Sequence, residues 1–196
     1  ALAGDPLIKV LRDQIRRLTS NPIKGFGDTS IYLADYGVTT NLNGTLSLDT
    51  TVFQKKYQAN PGDFSAIINS RASSSSSLVK PSLNGNNYTP GKYTFDLDGA
   101  GGATLSGTAM TASGTSFSQT GGDAAGLSLS IIGSGSDADI YLGRSLLQTL
   151  TDYSNGLIAS KGDISTKINN YNQDLLDFDT QIKNIDTNIE AVKARY

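Results

Sequence analysis

The side chains best placed to do chemistry in this sequence are four aspartates in two pairs, Asp96/Asp98 in "FDLDG" and Asp137/Asp139 in "GSGSDAD". Carboxylates two residues apart are the raw material of a calcium loop or of general acid/base work. Neither pair is completed. "FDLDG" lacks the third ligand and the closing Glu of a calcium loop, and a strand running into a tight glycine turn accounts for it. "GSGSDAD" matches part of a calcium β-roll nonapeptide, but one imperfect copy has nothing to stack on. On a strand, both members of each pair point to one face, where exposed acids are solvated. No second catalytic group stands out beside them. A third candidate, "NGNNYTPGKYT", fails as a phosphate loop: Gly85 and Gly91 are too far apart, and Tyr93 stands where Ser or Thr would hold magnesium. The expectation is no metal, no nucleotide, no other cofactor and no enzyme.

Composition points the same way. Among 196 residues there is no His and no Cys. The commonest general base and metal ligand is missing, and so are thiol catalysis, disulfides and thiolate-bound metals. The lack of Cys leaves the redox compartment open. Net charge is −2 and the pI is about 5.0. Basic residues are scattered, with Arg16-Arg17 and Lys55-Lys56 the adjacent pairs. Neither a nucleic-acid nor a membrane partner is supported. No apolar run approaches the roughly 20 residues that span a bilayer. The chain has no starting Met and no signal peptide, and it stops in mid-heptad, which reads as a piece of a longer protein.

The elements that must position these residues fall into three parts. Residues 1–72 read as helix, hairpin and helices. Asp5 and Pro6 open a helix over 5–18 whose face is Leu7, Leu11, Ile15 and Leu18. Val38 and Leu42 form one hairpin arm, Asn43-Gly44 the turn, and Leu46 and Leu48 the other arm. Asp49 caps a helix through Phe53 and Tyr57, and Asn60-Pro61 starts a short one through Phe64, Ile67 and Ile68. Residues 73–143 begin with "SSSSS", read as a flexible junction. Gly-divided alternating stretches follow at Tyr93/Phe95/Leu97, Thr104 to Met110, Ser116 to Ser118 and Leu127/Leu129/Ile131. They predict an autonomous antiparallel β module with a thin core. Residues 144–196 read as helical. Gly156 and Gly162 weaken that helix by about 1 kcal/mol each, and Asp163 could cap a fresh start.

The most regular pattern in the chain lies in that last part. Ile164, Ile168, Tyr171, Leu175, Phe178, Ile182, Ile185, Ile189, Val192 and Tyr196 are separated alternately by four and three residues. This is the seam of a coiled coil on an otherwise polar helix. A core helix of an ordinary domain would carry a wider stripe. The stripe cannot bury itself, so it calls for a partner helix or a second chain. The expected fold is α+β, with long coiled-coil-type helices, a small mixed hairpin/helix region and an inserted antiparallel β module.

In this order the pieces resemble the flagellar hook-associated protein 2 family. The residues that carry the resemblance are Gly4-Asp5, Leu11-Arg12, Tyr36-Gly37-Val38-Thr39, Gly44 to Asp49, Pro61 to Phe64 and the heptad helix. It covers residues 1–72 and 144–196. Residues 73–143 depart from it as an inserted Gly/Ser/Thr-rich module, similar to β modules of cap and flagellin head domains. The resemblance implies a secreted, extracellular structural cap at the flagellum tip that oligomerises with itself and promotes flagellin assembly. It further implies flagellin, hook–filament junction proteins and an export chaperone as partners. A competing expectation is an extracellular adhesin or stalk fragment whose β module binds glycan or host protein through Tyr88, Tyr93, Phe95 or Phe117. These aromatics read equally well as the core of that module.

Overall fold

The computed structural model of this chain describes residues 6–41, 45–134, 137–159 and 162–195. Two compact units are present, residues 1–150 and 151–196. The fold is α+β.

Unit one opens with helix α1 (Pro6–Ser20). Its expected cap Asp5, and the side chains of Leu7, Leu11, Ile15 and Leu18, lie outside the described residues. A loop with an Ile23–Ile31 bridge leads to a 3-10 turn, Leu33–Tyr36. Strands β1 (Val38–Thr40) and β2 (Leu46–Leu48) form the predicted antiparallel hairpin, with Val38 opposite Leu48. Its Asn43-Gly44 turn and Leu42 lie outside the described residues. The Asp49 carboxylate then caps α2 (Thr50–Ala59), accepting from the Thr51 and Val52 amides at 2.9 and 3.1 Å. Pro61 starts α3 (Pro61–Ile68), as its fixed φ suits a first turn. Tyr36, Phe53, Tyr57 and Phe64 pack ring against ring at 5.5–6.5 Å, joining the 3-10 turn to both helices. Ile23, Ile31, Leu33, Tyr36 and Ala66 are the buried centre of this small core. Gly37 ends the 3-10 turn in the left-handed region at φ 77°, and a Cβ there would lie 2.7 Å from the Asp49 carbonyl oxygen.

The β module is a two-sheet sandwich. One sheet has five antiparallel strands in the order β3 (Arg71–Ser74), β11 (Ala138–Gly143), β5 (Gly91–Leu97), β6 (Ala103–Leu105) and β7 (Thr108–Ala109). The other runs β4 (Val79–Leu83), β10 (Leu127–Ile131), β9 (Ser116–Gln119) and β8 (Thr111–Ser113). The chain crosses between sheets at both sides, through residues 75–78 and through Met110 alone. Those crossings shorten the open edges that would otherwise invite pairing with another chain. Alternation supplies the core: Phe95, Leu127, Leu129, Ile140 and Leu142 are wholly buried, and Phe95 meets Phe117 edge-on at 5.7 Å.

Two expectations change here. The serine run is no flexible junction, because Ser73 and Ser74 are strand residues paired with Tyr141 and Ile140. Short hydroxyl side chains leave the strand backbone free to pair, and β11 supplies the partner. The module is also tied into the rest of unit one. Tyr141 donates to Asp28 at 2.9 Å, and Lys92 reaches the same Asp28 oxygen at 2.9 Å. Gly25, at φ 81°, lets the loop backbone lie against the Leu142 carbonyl, where a Cβ would collide. That loop covers the outer face of β11, which is why β11 is buried on both sides.

Ser145, itself buried, caps α4 (Leu146–Ile158) by accepting from the Gln148 amide at 3.1 Å. The division between units falls within α4. In unit two, α4 ends at Ile158 and α5 (Asp163–Lys193) begins afresh. The Gly162 backbone, not the Asp163 side chain, occupies the cap position. A Cβ at Gly162 would strike the carbonyl oxygens of Gly156 and Leu157, so the close turn requires glycine there. α5 is 31 residues long, about 46 Å at the usual 1.5 Å rise.

Candidate functional site

Each acid of the candidate pairs whose contacts are visible is engaged in shaping the β module. The Asp98 carboxylate accepts from the Ala100 and Gly102 amides at 2.8 Å, closing its own turn. Asp137 accepts from the Leu97 amide at 2.9 Å, across from the end of β5. Asp139 pairs with Lys92 at 2.9 Å, and that lysine also holds Asp28. The hydrogen bonds that Lys92 donates to Asp139 and Asp28 push it above its ordinary range, and those that Asp28 accepts from Lys92 and Tyr141 hold Asp28 below its own. Among the described residues, no three His, Cys, Asp or Glu side chains converge as a metal site would require.

The aromatics that a binding platform would use are mostly internal. Tyr88, Phe95 and Phe117 are buried. The Tyr88 hydroxyl donates to the Gly143 carbonyl at 3.0 Å, and Arg144 stacks over its ring at 4.8 Å. Tyr93 is half-buried, and its hydroxyl contacts the carbonyls of Thr89 and Asp123. Tyr88, Phe95 and Phe117 are therefore core residues of the module.

The heptad residues are in the opposite situation. Ile164 is half-buried, whereas Ile168, Tyr171, Leu175, Phe178, Ile182, Ile185, Ile189 and Val192 are each 46–62% exposed. Helical spacing gathers them on one stripe of α5. Some polar side chains between them bond within the helix, as in Gln173 to Asp177 at 3.1 Å and Lys193 to Glu190 at 2.8 Å. Thr180 and Thr187 donate back to the Leu176 and Lys183 carbonyls. Leu176 is 60% exposed and falls outside the four-three count. It was legible only as the doubled leucine beside Leu175. Tyr196, the last seam position, lies outside the described residues. Soluble monomers seldom keep an apolar strip of this length open to water.

Further exposed apolar side chains, absent from the sequence-based expectations, lie on the hairpin and α2. Leu46, Leu48, Val52 and Tyr57 are all exposed there. The alternation of Leu46 and Leu48 was visible, but a two-stranded hairpin has no second layer of its own to cover it.

Comparison with known proteins adds the family. A family model described as "Flagellar hook-associated protein 2 C-terminus" matches residues 1–196. Searches among curated proteins and among solved structures gave no match. The match runs through the β module as well as the helical parts, so the module lies inside the family region. A structural family agrees with candidate acids that shape turns and with an exposed helical seam. The chain belongs to the flagellar hook-associated protein 2 C-terminal family, the proteins of the flagellar filament cap.

Proposed function

We propose that this chain helps to build the cap at the flagellar tip by burying the α5 seam in helix packing, and that the assembled cap promotes flagellin addition. The family context is flagellar assembly by a self-oligomerising cap that meets flagellin. One observation carries the mechanical part: an apolar stripe running from Ile168 to Val192, exposed along its length on a polar helix. Burying such side chains is the main favourable term in association, at about 25 cal/mol per Å² of apolar surface. In this reading the seam anchors the subunit. The chain reaches its site by export through the flagellar secretion apparatus, held until then by an export chaperone, and it meets the hook–filament junction proteins there. No helix among the described residues is long and apolar enough to cross a membrane.

Deleting the gene and measuring filament length together with flagellin shed into the medium tests this function. The expected result is stunted filaments with excess monomeric flagellin, restored by the wild-type gene. Filaments of normal length in the deletion strain would refute the assembly role.

A further inference from the structure

We propose that the α5 seam discriminates by charge: it accepts an amphipathic helix with Lys or Arg flanking its apolar stripe and rejects a second α5. This rests on the reading of the seam as a packing surface.

In the heptad frame, Ile168, Leu175, Ile182 and Ile189 form one row, and Tyr171, Phe178, Ile185 and Val192 the other. The positions next to these rows decide which helices pair and in what orientation. In α5 the charged ones are Lys167 near the start, Asp174, Asp179 and Asp186 through the middle, and Lys193 at the end. All three aspartates are exposed, and none has an ion-pair partner among the described residues.

Pairing with a second copy brings like charges together in both registers that cover the whole seam. In a parallel pair, each flanking residue meets the one five positions later in the other helix, so Asp174 faces Asp179, once on each side. In an antiparallel pair over the full seam, Asp179 faces the same residue of the second copy, and Lys167 comes opposite Arg195. Neither register sets an acid opposite a base. A helix with basic residues along the acidic stretch inverts every unfavourable contact. That stretch spans Asp174 to Asp186, about 18 Å along the axis at the standard rise. Charge placement of this kind supplies specificity by repulsion as much as by attraction.

The test uses the whole 196-residue chain and three helical peptides. Each peptide carries the apolar rows of residues 164–192; one has Lys at the flanking positions, one has Glu, and one is the α5 sequence itself. Binding is measured by calorimetry at about 50 mM and about 1 M NaCl, where the screening length falls from over 10 Å to about 3 Å. The expected result is a Lys-flanked peptide binding at least about 10-fold tighter than the other two, with the advantage shrinking in high salt. Asp174→Lys, Asp179→Lys and Asp186→Lys together should reverse the preference toward the Glu-flanked peptide. Equal affinities for all three peptides, or α5 binding as tightly as the Lys-flanked one, would overturn charge selection while leaving the seam an interface. Failure of every peptide to bind would remove both the selectivity and the packing surface beneath it.

Discussion

Tyr36 and Tyr88 are both buried, and their hydroxyls meet different fates. Among the described residues the Tyr36 oxygen has no partner within hydrogen-bond distance, the Asp63 carboxylate being near but not close enough, whereas Tyr88 donates to the Gly143 carbonyl. A buried unpaired hydroxyl costs stability, and a satisfied one contributes about 1 kcal/mol net. Tyr36→Phe should therefore leave the unfolding free energy unchanged or raise it by up to about 1 kcal/mol, and Tyr88→Phe should lower it by about that much. Urea unfolding of the two variants checks the contrast; equal losses would contradict it. Burial, with the nearby Asp63 charge adding to it, pushes the Tyr36 phenol up to about 12 from 10.0. The folded state then holds this proton where the unfolded chain has lost it. The stabilising contribution is fully present below pH 10 and disappears as pH rises through about 12. Tyr36→Phe should flatten part of that alkaline decline. Tyr93 and Tyr141 are raised in the same direction and keep the remainder.

At the scale of elements, what was legible depended on how local the determining contacts are. The α2 cap at Asp49, the Pro61 start and the β1–β2 arms are fixed by neighbours in sequence, and each lies where the pattern placed it. β3, β4, β8 and β11 were missed, β8 because Thr111–Ser113 has no large apolar side chain and the others for separate reasons. β3 is mostly small polar residues, and β4 contains Pro81, which suits an edge strand but breaks a strand signal. β11 is covered on its second face by the loop around Asp28, so its "IYLG" does not alternate. Asp98 closes a glycine turn as its context suggested, but Asp139 is not a solvated surface acid: its partner Lys92 lies far off in sequence and was not foreseen. Phe95 centres the sandwich, and Phe95→Ala should cost about 3–5 kcal/mol, melting the β signal in circular dichroism first. Retention of the wild-type melting temperature would mean that the two sheets do not share this core. Gly162→Val should weaken unit two without touching the sandwich, because its side chain would enter the space of the Gly156 and Leu157 carbonyls. A hydrogen-exchange profile unchanged over 151–170 in that variant would contradict the close turn.

For the whole molecule, the sequence pattern located the apolar stripe of α5 but could not name what covers it. A strict heptad predicts that a stripe is buried somewhere; only the surrounding molecule says where. Residues 1–150 form one compact unit with two cores, and residues 151–196 a second whose helix carries the exposed apolar stripe. That division suits a subunit that anchors by one part and presents the other. The central claim, that the seam must be buried for the cap to work, is tested by returning Ile182→Asp to a strain lacking the gene. Filament length and shed flagellin are measured, with Thr180→Asp, off the seam, as the control and secretion of each variant followed by immunoblot. Ile182→Asp should give short filaments and excess monomeric flagellin, and Thr180→Asp normal filaments. Filaments of wild-type length from secreted Ile182→Asp protein would contradict it.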